Sequence, residues 1–254
     1  MGERVPVVLT IDGREVRAQA GESLLQVARR EGFAIPSLCW HERLSSYGAC
    51  RLCLVEVKRG RKNRLVTSCD FPAMDGIEVA TDTEQVRARR RTVVQLLGAM
   101  APGAPEIQRL ALEYGADLGP LVADVEGDCI LCGLCVRVCR EMVGANAVEF
   151  QNRGGAKSLG APWGEPSGRC ISCGACAAVC PVNARRTLSG VIRRLRHEGA
   201  GEHPCRYTLL GLFSEGVCAN RYECERCEVE QRMRDGLRGH PVFLLPGAAR
   251  DRDG

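Results

Sequence analysis

Large aromatic rings are scarce in this chain: Phe, Trp and Tyr make up 4 % of its 254 residues, so they do little of the core-building. No apolar run approaches the roughly 18 residues of a membrane-spanning helix. Residues 1–10 have no long apolar core behind a basic start and do not read as a secretory signal. Charge of one sign is lacking too. The net charge of +4 is too small for the basic face usual in nucleic-acid binders. The chain has no G-x-G-x-x-G and no P-loop. It also shows no pairing of catalytic carboxylates and no nucleophile beside a base, so it carries no catalytic site of its own. Its length allows one large domain or two to three small ones, at roughly 150 residues each.

What the chain does have is cysteine, sixteen in all. In a chain read as cytoplasmic, that density argues for metal rather than disulfides, because the cytosol keeps thiols reduced. The sixteen fall into four groups of four with none left over. The second group is Cys129, Cys132, Cys135, Cys139, and the third is Cys170, Cys173, Cys176, Cys180. Both read C-x2-C-x2-C-x3-C, and Pro181 follows the third. This is the bacterial ferredoxin run, whose fourth Cys serves the other cluster. Cys129, Cys132, Cys135 and Cys180 are therefore expected to hold one [4Fe–4S] cluster. Cys139, Cys170, Cys173 and Cys176 are expected to hold the other. Gly133 and Gly174 leave room for backbone N–H groups near sulfide, and Arg140 stands where a Pro is usual. Zinc sites more often use two C-x2-C pairs separated by a longer gap.

The first group, Cys39, Cys50, Cys53 and Cys69, reads C-x10-C-x2-C-x15-C. This is the plant-type [2Fe–2S] pattern with a longer first gap. The flanks predict strands over 5–11 and 14–18 with a turn at Gly13. A helix over 24–30 is capped by Ser23 and Gln26. Further strands are predicted over 52–58, 65–69 and 77–81. That order is the β-grasp, with the cysteines in the loop after the helix.

The stretch Pro36-Ser-Leu-Cys-Trp-His-Glu-Arg-Leu-Ser-Ser-Tyr-Gly-Ala-Cys-Arg-Leu-Cys-Leu-Val-Glu-Val57 closely resembles one family. It is similar to the iron–sulfur subunit of NAD-reducing hydrogenase diaphorases. It is equally similar to the N-terminal part of the large iron–sulfur subunit of complex I, and to [FeFe] hydrogenases. Thr67-Ser-Cys-Asp70 and Asp75-Gly-Ile-Glu-Val-Ala-Thr81 fit the same pattern, and the resemblance covers about residues 4–185. It implies [2Fe–2S] at Cys39, Cys50, Cys53 and Cys69, with [4Fe–4S] clusters on the two later runs.

One departure is informative. Family members commonly carry a further cluster, on one His and three Cys, between these regions. Here residues 70–128 contain no His and no Cys. A helix over 84–100 with the basic run Arg87–Arg91 remains, and a second helix over 105–114 replaces the ligands. The [FeFe] hydrogenase reading also loses its active site, since no cysteines remain for a catalytic cluster.

The last group, Cys205, Cys218, Cys224 and Cys227, reads C-x12-C-x5-C-x2-C ahead of a polar helix over 228–237. It suits a tetrahedral zinc site that would hold together a tail too short for a real core. A third [4Fe–4S] cluster is the rival. His203 is a further candidate ligand. His41 reads as a residue that bonds its own loop, or one that tunes the first cluster through sulfur. Arg87–Arg91 reads as a solvated helix face by default, or as a docking face. Arg185, Arg186, Arg193, Arg194 and Arg196 either offset cluster charge or meet a partner. Residues 160–168 read as a loop, and residues 241–254 as a loose tail.

The expected fold is α+β. It comprises a β-grasp [2Fe–2S] domain (1–83), a helical linker (84–122), a ferredoxin-like 2×[4Fe–4S] domain (123–196) and a metal-bound tail (197–254). The expected function is electron transfer within a multi-subunit NAD(P)-linked oxidoreductase. Plant-type [2Fe–2S] clusters lie near about −400 mV, which suits exchange at the nicotinamide level. A nicotinamide gives two electrons as hydride and a cluster takes one, so a flavin must stand between them. The partners expected are a flavoprotein oxidising NAD(P)H and a catalytic subunit: a hydrogenase, a formate dehydrogenase or another low-potential reductase. Two alternatives remain. One is the iron–sulfur subunit of a quinone-linked succinate or fumarate enzyme, whose first cysteine gap is shorter. The other is a zinc-only interaction module.

Overall fold

The computed structural model describes residues 6–119, 127–164, 169–171, 173–184, 187–188, 205–209, 212–218, 224 and 227–236. His203, Arg185, Arg186, Arg193, Arg194, Arg196, the end of the 160–168 loop and residues 241–254 lie outside them. The chain divides into two compact units, Met1–Cys132 and Gly133–Gly254. Among the described residues no helix is long and apolar enough to cross a membrane.

In the first unit, strand β1 (Pro6–Ile11) pairs antiparallel with β2 (Arg14–Gln19). Asp12 and Gly13 turn the hairpin at φ 47° and 80°, the backbone that Asp-Gly favours in a two-residue loop. Alternation along β1 puts Val7, Leu9 and Ile11 on the buried face. Helix α1 (Leu24–Arg30) starts at Ser23, whose side chain and that of Gln26 close the expected capping box. Its buried residues Leu24, Leu25, Val27 and Ala28 join the sheet in one core. Each fully buried aliphatic side chain of this kind contributes about 1.5–3 kcal/mol.

Strands β3 (Leu54–Arg59) and β4 (Lys62–Thr67) form a second hairpin, and β5 (Glu78–Ala80) completes the sheet. The order is β2-β1-β5-β3-β4, with β5 parallel to β1 and antiparallel to β3. The fourth strand begins three residues earlier than its apolar residues predict. Lys62, Asn63 and Arg64 are exposed, so pairing across the Gly60 turn, not burial, recruits them. Leu52, Cys53 and Cys69 leave the ladder and lie in loops.

Helix α2 (Glu84–Met100) is capped by Thr83, and α3 (Pro105–Tyr114) opens on proline and stops at Gly115, φ 63°. Both have the expected bounds. The two helices pack on each other, and α2 packs on β3. Val86, Val94, Leu97, Ile107 and Leu110 are buried along them.

The basic run on α2 is solvated at Arg87, Arg89 and Arg91 and departs from that reading at one residue. Arg90 is 2 % exposed. Arg87 donates to the Glu113 carbonyl and Arg91 to that of Tyr114, at the end of α3. These bonds satisfy carbonyls that a helix C-terminus leaves open.

In the second unit, α4 (Leu134–Arg137) runs into a π-helical turn, Val138–Met142. A short antiparallel pair follows, β6 (Glu149–Gln151) with β7 (Ser158–Gly160), and then α5 (Ala175–Ala178). Helices α4 and α5 pack together. Gly133 and Gly174 stand at their starts at φ 74° and 76°, where a side chain would be strained.

Candidate metal centres

Cys39, Cys50, Cys53 and Cys69 are all buried, none more than 3 % exposed. Three come from the loop between α1 and β3, and Cys69 follows β4. The Leu38 N–H donates to the Cys50 sulfur at 3.3 Å, and the Cys50 N–H donates to the Cys39 sulfur at 3.4 Å. Arg51, between Cys50 and Cys53, has φ 57°, a sparsely populated backbone that bends the loop. The sulfurs meet in pairs. A bond from the Cys69 thiol holds Cys53 down at about 7, against the cost of burial, while Cys69 itself is pushed up by that same bond and by burial. Bonding to Cys39, then burial, pushes Cys50 up. Four buried thiols that meet two by two, with amides aimed at sulfur, fit a rhombic two-iron group that takes two thiolates per iron.

His41 bonds its own loop: its Nδ1 accepts the Arg43 N–H at 3.2 Å. Two serines that the sequence reading passed over hold this site. Ser46 donates to the Cys69 carbonyl at 2.7 Å, and Ser68, fully buried, donates to that of Cys53 at 2.8 Å. Serine is common in loops, so nothing in the sequence singles them out.

In the second unit, Cys139, Cys170, Cys173 and Cys176 line one pocket. Val143, Ala145, Ala147, Val148, Ile171 and Ala175 supply apolar walls. The Ala147 N–H donates to the Cys139 sulfur at 3.3 Å. Burial raises the Cys139 thiol, and raises Cys176 to about 12, helped by the neighbouring cysteines. Deep burial favours neutral thiols until a cation compensates the thiolates. The donor set, the apolar walls and the amide suit a four-iron group.

Of the other expected set, Cys129 and Cys132 lie in the first unit, Cys135 and Cys180 in the second. The Leu131 N–H donates to the Cys129 sulfur at 3.4 Å, and the Ala184 N–H to that of Cys180 at 3.3 Å. Leu131 has φ 52°.

In the tail, the Cys205 N–H donates to the Gly216 carbonyl at 2.7 Å, two residues short of Cys218. The Cys227 N–H donates to the Cys224 carbonyl at 3.1 Å. A buried bond of 2.6 Å from the Tyr207 hydroxyl to Glu230 ties the turn after Cys205 to the helix Glu228–Gly236 after Cys227. Among the described residues, no three His, Cys, Asp or Glu side chains converge on one metal-ion position.

Two family models match parts of the chain. Residues 4–84 match the 2Fe-2S iron-sulfur cluster binding domain, and residues 128–184 match the 4Fe-4S dicluster domain. A chain in the crystal structure of an NAD+-reducing [NiFe]-hydrogenase in the H2-reduced state is 30 % identical, with a TM-score of 0.60. The likeness covers 70 % of this chain and 86 % of that one. This chain belongs to the family of iron–sulfur subunits shared by NAD-reducing hydrogenases and complex I. Its fold is α+β, with [2Fe–2S]-type and [4Fe–4S]-type regions separated by helices.

Two longer proteins are similar over part of this chain. The 78 kDa subunit of mitochondrial NADH-ubiquinone oxidoreductase from Candida albicans is 33 % identical over 180 residues, 61 % of this chain and 25 % of that one. The NADPH-Fe(3+) oxidoreductase subunit alpha of Geobacter sulfurreducens is 35 % identical over 184 residues, 63 % of this chain and 22 % of that one. The chain spans about a quarter of the length of these curated relatives.

Proposed function

We propose that this chain relays single electrons between a flavoprotein that oxidises NAD(P)H and a catalytic oxidoreductase subunit, within one cytoplasmic complex. The catalytic subunit is a hydrogenase, a formate dehydrogenase or another low-potential reductase. Bound iron–sulfur clusters take up and release one electron at a time. The chain's own part is to hold them, bury them and order them.

In this reading the first sheet is a β-grasp whose loops present Cys39, Cys50, Cys53 and Cys69 to [2Fe–2S]. Cys39 with Cys50, and Cys53 with Cys69, each take one iron. Cys139, Cys170, Cys173 and Cys176 hold one [4Fe–4S] cluster, and Cys129, Cys132, Cys135 and Cys180 the other. Cys205, Cys218, Cys224 and Cys227 close on zinc, with a third [4Fe–4S] cluster as the alternative occupant. The bonds from Cys205 to Gly216 and from Tyr207 to Glu230 support that closure.

The observation that carries the reading is the gathering of Cys139 with Cys170, Cys173 and Cys176 around one apolar pocket. A fourth thiol from the earlier run beside three from the later one is the arrangement of two-cluster electron carriers. The test is metal analysis and paramagnetic resonance of the anaerobically purified full chain. About ten irons per chain, with signals after dithionite, support the relay. An added zinc equivalent assigns the tail to zinc, and about fourteen irons assign it to a third cubane. Colourless protein with zinc alone and no signal after dithionite overturns the relay. The partners are tested separately. Clusters that NADH reduces only when a co-purified flavoprotein is present support that pairing, and reduction by NADH alone refutes it.

A further inference from the structure

We propose that Arg90 is a positioning residue of the first centre: it clamps the segment that carries Cys53 and sets a buried positive charge behind that ligand, raising the centre's reduction potential. The inference rests on the reading of Cys39, Cys50, Cys53 and Cys69 as [2Fe–2S] ligands.

Arg90 lies on α2, a helix that contributes no ligand, since residues 70–128 hold no His or Cys. Its guanidinium nevertheless reaches the cysteine loop. Nε donates to the Leu52 carbonyl at 3.1 Å and Nη2 to the Leu54 carbonyl at 2.8 Å. Those are the residues immediately before and after Cys53. Nη1 lies 3.4 Å from the Tyr114 hydroxyl of α3. The planar fork thus spans both carbonyls at once, which a lysine cannot do.

The charge is the second half of the argument. Arg90 is 2 % exposed, and its carboxylate partner Asp82 stands 3.9 Å away and is itself 54 % exposed. Taking a guanidinium out of water costs several kcal/mol unless negative charge compensates it. A long pair to a solvated carboxylate compensates little. Cys53 lies in sequence between the two carbonyls that the guanidinium holds, so thiolate charge on Cys53 would act on it where water is excluded and attraction is strong. Uptake of one electron makes that charge one unit more negative. The guanidinium therefore favours the reduced state, and net charge near the centre is one of the determinants of cluster potential.

The experiment is a redox titration of the [2Fe–2S] resonance in the full chain, loaded anaerobically, for wild type, Arg90→Gln, Arg90→Lys and Asp82→Asn. Arg90→Gln is expected to shift the midpoint to lower potential. Arg90→Lys, which keeps the charge and breaks the fork, stays nearer wild type while melting at lower temperature. Asp82→Asn, the loss of a distant and solvated countercharge, shifts the midpoint little. An unchanged midpoint in Arg90→Gln, or equal drops in the Gln and Lys variants, overturns the inference. If Arg90→Gln fails to keep its cluster, Arg90→Lys decides: a midpoint well below wild type overturns the charge, and a melt equal to wild type overturns the clamp. A wild-type chain with no reducible two-iron signal refutes the cluster reading itself, a result distinct from these.

Discussion

The Ser68 hydroxyl stands 2.8 Å from the carbonyl oxygen of Cys53 and also reaches the Cys53 sulfur, where it helps hold that thiol down. The Ser68 amide bonds the same carbonyl at 3.0 Å. Two loops that are distant in sequence, one ending at Cys53 and one containing Cys69, are thereby locked in register. Replacing Ser68 with alanine is expected to cost about 1 kcal/mol of stability. Thermal melts check this. A variant that melts like wild type would show that the hydroxyl only fills space.

The pocket around Cys139 predicts which substitutions act on the same cluster. Cys139→Ser and Cys173→Ser each lower the iron content by about four atoms, and combining them removes no more. Cys139→Ser with Cys180→Ser removes about eight. If the cysteines instead serve their own runs, the Cys139 and Cys173 losses add, and iron analysis separates the two patterns.

Gly174 starts α5 at φ 76° beside that pocket. An L-residue there costs about 1–2 kcal/mol. Gly174→Ala is expected to lower the melting temperature and the iron content together. Full iron loading and a wild-type melt would count against a strained turn.

Away from the centres, acid stability has a defined sign. The Arg109 guanidinium, bonded to Glu106 at 2.7 Å, holds that carboxyl below its usual range, against a smaller effect of burial. A depressed carboxyl stabilises the fold above its unfolded value of about 4.3 and loses that contribution as pH falls through the folded value. Both partners face solvent, so Glu106→Gln costs only about 0.3–0.5 kcal/mol near neutral pH. The difference narrows below about pH 4, and urea denaturation across pH 4–7 follows it. A gap that widens in acid would contradict the assignment.

Much of the fold was legible because its signals are local. The expected bounds of α2 and α3 match the structure, where the Thr83 cap and the Pro105 start set them. Asp12-Gly13 and the Ser23–Gln26 box act within a few residues. The start of β4 was not legible, because Lys62, Asn63 and Arg64 join the ladder through hairpin pairing and bury nothing. Arg90 departs from its solvated neighbours in the run Arg87–Arg91 for a related reason. Hydropathy assigns an arginine to solvent, whereas Arg90 is drawn inside by two carbonyls on β3 and the loop before it.

Sequence alone determined the cysteine groups, the family and the missing ligands between residues 70 and 128, because spacing and identity are covalent facts. Only the tertiary structure decided which arginine is buried and which serines hold the ligand loops. Cys139 and Cys176, or Arg90 and Leu52, are neighbours through packing of segments dozens of residues apart. No local propensity encodes such a distance; burial and hydrogen-bond satisfaction across the whole unit select it.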